Sequence, residues 1–502
     1  MAELPATASR PGLRLDGRAL AAATLVILLV RLILGEATTL TEDEAYYRLW
    51  SMHPAFGYYD HPPMIAWWIA AGRFLVGDNP LGVRLFPILA NGASVFLVFD
   101  IARQVGASGR TAARAGLWYN ATLLIGTGAM LALPDVPAGL FWLAAVWAAL
   151  KARDGNPLLW WALAGVAAGL ATLSKYSAIF LAPGMVAWLL ATPEGRDALK
   201  RPGPWVAAAL AIAIFSVNVA WNAEHGWITF IKQFGRVAGS RFAPKYLAEF
   251  LVTQFLLLNP LIAVFAVQAL SPKRMRRAAA DLLPLLAVSA PFVVYLLLHS
   301  LHDRVQAHWP APVYGALAIC AAAIAESATG KAARWTRAAA PVVGFVLVGA
   351  ALVHSAWPGA DFPMRADPAL ALRRWPGLAS QLEHMRQAEK AEWVGTLSYG
   401  VLAELSATKL IKAPLTELAE RERYAYQPAS ETPDIDRPGI VVDIERRAGG
   451  ANLKGCFRSV KDLGVLDRGS AQGPAILYHA YRVEGSLRRE KGGCWLGEDL
   501  GR

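Results

Sequence analysis

Long apolar runs recur along almost three quarters of this chain, and that recurrence limits it to one kind of fold. They lie at about 19–35, 82–101, 114–132, 137–151, 157–173, 177–192, 204–221, 247–270, 280–299, 310–327 and 338–357. Each is a helix of bilayer-crossing length or slightly less, the shorter ones tilted or sharing a turn. About eleven transmembrane helices are therefore expected. Composition agrees: 55% of the 502 residues are hydrophobic, 17% are charged and Trp occurs 18 times, more apolar surface than a soluble domain needs. The net charge of +11 does not indicate nucleic acid. The basic residues form no single patch but fall in short clusters between the apolar runs, as the positive-inside rule requires.

Those clusters fix an expected topology. Arg10, Arg14 and Arg18 precede the first run, and Arg103, Arg110 and Arg114 follow the second. Lys151 and Arg153 follow the fourth, Arg196, Lys200 and Arg201 the sixth, Lys273, Arg274, Arg276 and Arg277 the eighth, and Lys331, Arg334 and Arg337 the tenth. Every second connection is basic. This predicts a multi-pass membrane protein with the N-terminus cytoplasmic and the C-terminal segment on the far side. The first run reads as a signal anchor, because no small-residue cleavage site follows it. Two domains are expected: a membrane domain at 1–357 and a polar, exported domain at 358–502. The second mixes β-type runs, Gly439 to Ile444 and Ala475 to Tyr478, with a helical stretch from Pro368 to Glu392, and so reads as a small α/β or α+β domain. It also holds Cys456 and Cys494, which an oxidising compartment would join as a disulfide. Cys320, within an apolar run, reads as packing.

Chemistry concentrates on the exported side. Thr41-Glu42-Asp43-Glu44-Ala45-Tyr46-Tyr47 follows the first run, and Tyr59-Asp60-His61-Pro62-Pro63 comes one short loop later. Adjacent carboxylates repel each other and do not bind anionic headgroups, so at a membrane surface they suit proton transfer better than anchoring. Asp43 and Glu44 are the candidate catalytic pair, although Glu44 also suits a structural role. Met64 to Arg84 reads as an amphipathic helix in the interface, with Trp67 and Trp68 at headgroup depth. Further ionisable residues stand at the exported ends of runs: Asp135, Lys175, Arg236, Arg241, Lys245, Arg304 and His308. Charges at that depth are costly unless they line a cavity or bind something, and Lys and Arg suit phosphate. Asp60, His61, Asp135, Lys175, Arg236, Arg241, Arg304 and His308 are thus candidates for holding an anionic lipid-linked substrate. Asp135 equally suits a helix cap, and Arg236, Arg241 and Lys245 equally suit plain lipid-headgroup contact. His53, His225 and His302 receive no role. No histidine pair has metal-ligand spacing, so no metal is inferred. No Gly-rich nucleotide loop occurs, and no cofactor is expected.

Taken in order, these motifs resemble the glycosyltransferase family 39-like membrane enzymes of the C superfamily. That group includes protein O-mannosyltransferases and the aminoarabinose and galacturonic acid transferases of lipid A. The matching features are Asp43-Glu44, Asp60-His61-Pro62-Pro63, Met130 to Asp135, and Gly169 to Lys175, over about residues 20–330. The aminoarabinose transferases carry Lys where this chain has His61, which weakens the transfer of that particular sugar to this chain.

The resemblance implies transfer of a sugar from a polyprenyl-phosphate donor to an envelope acceptor, at a bacterial plasma (inner) membrane. That acceptor would be lipid A, lipopolysaccharide or another glycolipid, less favourably a protein hydroxyl. Asp43 would act as general base on the acceptor hydroxyl in an inverting displacement. Lys175 and Arg304 would face the phosphate as its charge grows. The alternative is a non-catalytic transporter or flippase of lipid-linked sugars. It is disfavoured because no internal repeat is evident and the charges gather at one face and not at midplane.

Overall fold

The computed structural model describes residues 16–153, 156–235, 242–278, 280–357, 367–424, 426–445, 453–469 and 476–487. Among these, five helices are long and apolar enough to cross a membrane: Gly17–Ala37, Pro80–Gln104, Pro157–Ser174, Pro202–Glu224 and Lys331–Ala356. The number reaches seven if two bent pairs each count as one span. Leu283–His299 and Ala311–Ser327 are shorter apolar helices. Large apolar side chains project outward from the long helices, among them Ile33, Ile212, Trp205 and Val346. On a soluble surface such faces would be a liability; here they face lipid.

The first helices carry the site and are labelled in order: α1 (Gly17–Ala37), α2 (Glu42–Trp50), α3 (Met64–Val76), α4 (Pro80–Gln104), α5 (Gly109–Asn120), α6 (Leu123–Gly128), α7 (Asp135–Lys151) and α8 (Pro157–Ser174). Asp16 caps α1, its side chain accepting from the backbone of Arg18 and Ala19 at 2.9 Å. Midway along α1, buried Arg31 donates to Asn91 Oδ1 and to the carbonyls of Ile125 at 3.1 Å and Gly126 at 2.9 Å. One buried cation thus ties α1 to α4 and α6. The expected run at 114–132 is not continuous. It breaks at Ala121-Thr122, where Thr122 caps α6, and the chain then unwinds to Pro134. The expected interfacial helix is also shorter than Met64 to Arg84. It stops at Val76, because Gly77 takes a positive φ of 95° and Asn79-Pro80 starts α4. Farther on, α8 packs against the helix Pro202–Glu224 so closely that a Cβ on Gly165 would meet the Ala207 carbonyl at 2.3 Å. The pair Lys245–Leu257 and Pro260–Gln268 is bent by 110°. Asn259, at the bend with φ 70°, donates to the carbonyls of Ala121 and Ala340.

The polar part of the chain forms a five-stranded mixed sheet: β1 (Trp393–Thr396), β2 (Leu415–Glu417), β3 (Gly439–Ile444), β4 (Phe457–Asp467) and β5 (Leu477–Ser486), in the order β2-β1-β3-β5-β4. β1 is parallel to β2 and β3, while β5 is antiparallel to β3 and β4. The expected helix from Pro368 is two pieces, a 3-10 turn at Pro368–Leu372 and a helix at Trp375–Ala388. Arg374 between them is left-handed, φ 62°. Cys456 is disulfide-bonded, and Cys320 is a buried free thiol. Cys494, the expected partner of Cys456, lies outside the described residues.

The sheet region docks on the α2 end of the bundle. Its helix Tyr399–Thr408 lies against α2. Leu402, Ala403 and Tyr424 join Ala45, Tyr46, Trp50, Tyr58 and Ile65 in one apolar cluster. Burial of these aromatic faces is what holds the two regions together.

Candidate active site

Helix α2 begins with a capping box. The amide of Glu44 donates to Thr41 Oγ1 at 3.3 Å, and Glu44 Oε2 accepts from the Thr41 amide at 2.9 Å. This pairing turns Glu44 back toward the bundle. There Arg84, at the start of α4, grips it with Nε–Oε1 at 2.7 Å and Nη2–Oε2 at 2.6 Å, and both side chains are 0% exposed. The Ala132 amide adds a bond to Oε1 at 2.9 Å. Arg84 spends its remaining donors on the carbonyls of Gly35, Thr38 and Thr39. Burial pushes the Glu44 carboxyl up, but Arg84 and the two amides outweigh it and hold the group below its usual range. Glu44 is placed as a clamp between α1, α2, α4 and the segment before α7, and it does not line the cleft described next.

One residue earlier, Asp43 points the other way. It lines a cleft of about 600 Å³ together with Tyr46, Tyr47, Asp60, His61, Asp135, His308, Tyr399 and Arg423. Its Oδ1 accepts from the Tyr399 hydroxyl at 3.2 Å. Burial pushes its carboxyl above the usual range, and Tyr399 and His308 oppose the shift.

Two charge groups form the other walls. Asp60 pairs with Arg423 Nη1, while Arg423 Nε donates to Glu420 at 2.9 Å. The Arg423 guanidinium lies over the Tyr399 ring, 4.3 Å from its centre. The Tyr46 hydroxyl sits 3.2 Å from Asp60 Oδ2 and 3.1 Å from the Arg423 carbonyl. Opposite, at the start of α7, Asp135 accepts from Lys175 Nζ at 2.6 Å, and His308 Nε2 stands 3.6 Å away. Asp135 and Lys175 are both buried. His61 is pushed down to about 4 by burial and by the charge of Lys175, so the ring is neutral at pH 7. Side-chain donors hold its loop: Gln233 Nε2 donates to the Asp60 carbonyl at 2.6 Å and Thr229 Oγ1 to the Tyr58 carbonyl at 2.8 Å.

Of the residues expected from the sequence, Asp43, Asp60, His61, Asp135 and His308 line one cleft, and Lys175 stands directly behind Asp135. Arg304 is elsewhere. It is exposed, outside the cleft lining, and paired with Glu249 at 2.8 Å. Arg236 and Arg241 lie outside the described residues. Three residues were missed. Arg84 looked like the end of an interfacial helix, yet an arginine at the edge of an apolar run signals a buried partner. Tyr399 and Arg423 have no local signal, since aromatic and basic residues are ordinary in a polar domain.

This is a largely helical membrane-type fold with a polar, charge-lined cleft at one end, covered by the small mixed sheet region. Residues 60–221 match the family described as dolichyl-phosphate-mannose-protein mannosyltransferase, and the resemblance read from the motifs is borne out. The lipid A galacturonosyltransferase RgtD of Rhizobium johnstonii is 29% identical over 296 residues, 57% of this chain and 60% of that protein. An undecaprenyl phosphate-alpha-4-amino-4-deoxy-L-arabinose arabinosyl transferase of Pseudomonas fluorescens is 34% identical over 177 residues, 34% of this chain and 31% of that one. The chain thus spans between about a third and three fifths of the length of these relatives. The fold is similar to that of ArnT from Cupriavidus metallidurans, solved bound to undecaprenyl phosphate. The TM-score is 0.61 at 15% identity, over 93% of this chain and 97% of that one.

Proposed function

We propose that this chain is an integral membrane glycosyltransferase that moves a sugar from a polyprenyl-phosphate donor to an envelope glycolipid, lipid A being the favoured acceptor. The observation that carries this reading is Asp43: a single carboxylate, raised in pKa, open to a polar cleft whose other acids are matched by cations. A raised carboxyl is a better proton acceptor for a hydroxyl than an ordinary one. A second cavity of about 480 Å³ adjoins the cleft at Leu133, Asp135 and His308 and runs inward past Ser94, Ile125 and Ala129. Its largely apolar walls suit the chain of a lipid substrate, with the reacting headgroup left in the polar cleft.

In the proposed step the acceptor hydroxyl oxygen attacks the anomeric carbon. Its proton passes to Asp43, the bond from that carbon to the phosphate oxygen breaks, and the electron pair leaves with the lipid phosphate. One displacement inverts the anomeric centre. Lys175, buried beside Asp135, would answer the charge that grows on the phosphate, while Asp60 and Arg423 would frame the sugar. The substrates in the relatives' names, lipid A and undecaprenyl-phosphate aminoarabinose, support both ends of this scheme. We assign the membrane domain to 1–357 and the closing domain to 358–502, with the cleft and that domain on the exported face and the N-terminus cytoplasmic. The eleven passes expected from the sequence remain our proposal, supported by the five long apolar helices and the two bent pairs for up to seven of them.

Mass spectrometry of envelope glycolipids from cells with and without the gene tests the reading. A sugar mass lost with the gene and regained on complementation is expected. The same loss with lipid-linked sugar accumulating on the cytoplasmic side would favour the flippase instead, and unchanged glycolipids would overturn the reading.

A further inference from the structure

The closing domain reaches the proposed base directly. Tyr399 is the first residue of its helix Tyr399–Thr408, and its hydroxyl donates to Asp43 Oδ1 at 3.2 Å. The approach is built on both sides. Gly400, the next residue, lies against Glu42, the residue before Asp43; a Cβ on Gly400 would meet Glu42 Oε2 at 2.6 Å and Glu42 Cβ at 3.2 Å. Two consecutive residues of the closing domain therefore face two consecutive residues of α2, and only a glycine permits the distance. The Tyr399 ring is fixed independently of its hydroxyl. Tyr46 packs against it with ring centres 4.9 Å apart, and Arg423, itself tied to Asp60, covers it.

We propose that Tyr399 is a positioning residue for the transfer reaction, holding Asp43 Oδ1 so that Oδ2 is turned to the acceptor hydroxyl. The inference rests on the reading of Asp43 as general base. A carboxylate with one oxygen already bonded has one orientation and one free acceptor, which is what proton abstraction at a fixed point requires. The hydroxyl also favours the charged form of Asp43. The other groups that face it pull both ways: Glu42 and Asp60 disfavour the charge and His308 favours it. Removing the hydroxyl therefore has a definite sign. Asp43 holds its proton more tightly, and the acid limb of activity moves to higher pH.

The test uses Tyr399→Phe, which keeps the ring and its packing, in the full-length protein in lipid nanodiscs. Gly400→Leu is the second variant, since it pushes the helix off α2 with the hydroxyl intact. The first arm needs no sugar. Infrared difference titration, with Asp43→Asn as the blank, reads the Asp43 carboxyl band as pH is varied. Both variants are expected to titrate at higher pH than the wild type. The second arm follows transfer from undecaprenyl-phosphate-linked galacturonic acid to lipid A. Tyr399→Phe should lower kcat about 10- to 100-fold near neutral pH, with KM little changed and part of the loss recovered at alkaline pH. An Asp43 titration that is the same in wild type and Tyr399→Phe overturns the proposal. A shifted titration with no transfer by the wild type from that donor leaves the contact established and counts against the functional reading instead.

Discussion

Helix α2 divides two polar regions built from the same chemical group. On its bundle side Glu44 is dry: both oxygens are matched by Arg84, with the amides of Thr41 and Ala132 in support. On its cleft side Asp43 has, among the described residues, one side-chain hydrogen bond, from the hydroxyl of Tyr399. The first environment holds its carboxyl below the ordinary range and the second above it. Neighbouring carboxylates in sequence need not be a catalytic pair. A helical step of about 100° can send one into a clamp and the other into a reaction space.

The strongest way to break this contrast is to exchange the roles. Asp43→Asn is expected to cost about 10²–10⁴-fold in transfer rate, the usual loss of a general base, with thermal unfolding in detergent unchanged. Near-normal turnover in that variant would remove Asp43 from the chemistry. Glu44→Gln and Arg84→Met should do the reverse. Each leaves a buried charge without its partner, a loss of about 3–5 kcal/mol of stability, read as a lower unfolding temperature. A Glu44→Gln protein as stable as wild type but inactive would show that the clamp has a chemical part.

The pH profile sharpens the same comparison. Asp43 must be ionised to accept a proton, and burial raises its pKa, so the rate should fall by about tenfold per pH unit below a midpoint lying above the ordinary carboxylate range. His61 is neutral from about pH 5 upward and should contribute no limb near 6.5. A profile flat down to pH 4 would place Asp43 in a clamp like that of Glu44. The smallest effect is expected at Arg304. Its pair with Glu249 is solvent-exposed, so Arg304→Ala should change transfer by less than about fivefold. A large rise in donor KM in that variant would bring Arg304 back to the phosphate.

Much of the site was legible because charge at the edge of an apolar run is expensive. Asp43, Asp60, His61, Asp135, Lys175 and His308 each stand where a span meets the polar side, and each is at the cleft or directly behind it. Arg304 obeys the same pattern and is a surface ion pair, because the rule marks depth and not direction. The break at Ala121-Thr122 escaped notice, since an apolar run reads the same whether the helix continues or caps and restarts. The sheet was foreseen from β-type runs, though β5 extends to Ser486, well beyond the run that announced it. What no local pattern could give was Tyr399 and Arg423. Their meaning comes from docking, through a tyrosine cluster whose members are scattered between Tyr46 and Tyr424.

The contact between Asp43 and Tyr399 spans 356 positions of sequence. Ribosomes add roughly 5–20 residues per second, so Asp43 leaves the ribosome some 20–70 s before Tyr399. For that interval the membrane holds a chain with all the acids of the site and no finished cleft. A message cut short before the sheet region would yield a chain that has Asp43, Asp60 and Asp135 but lacks the Tyr399 and Arg423 that complete the cleft wall.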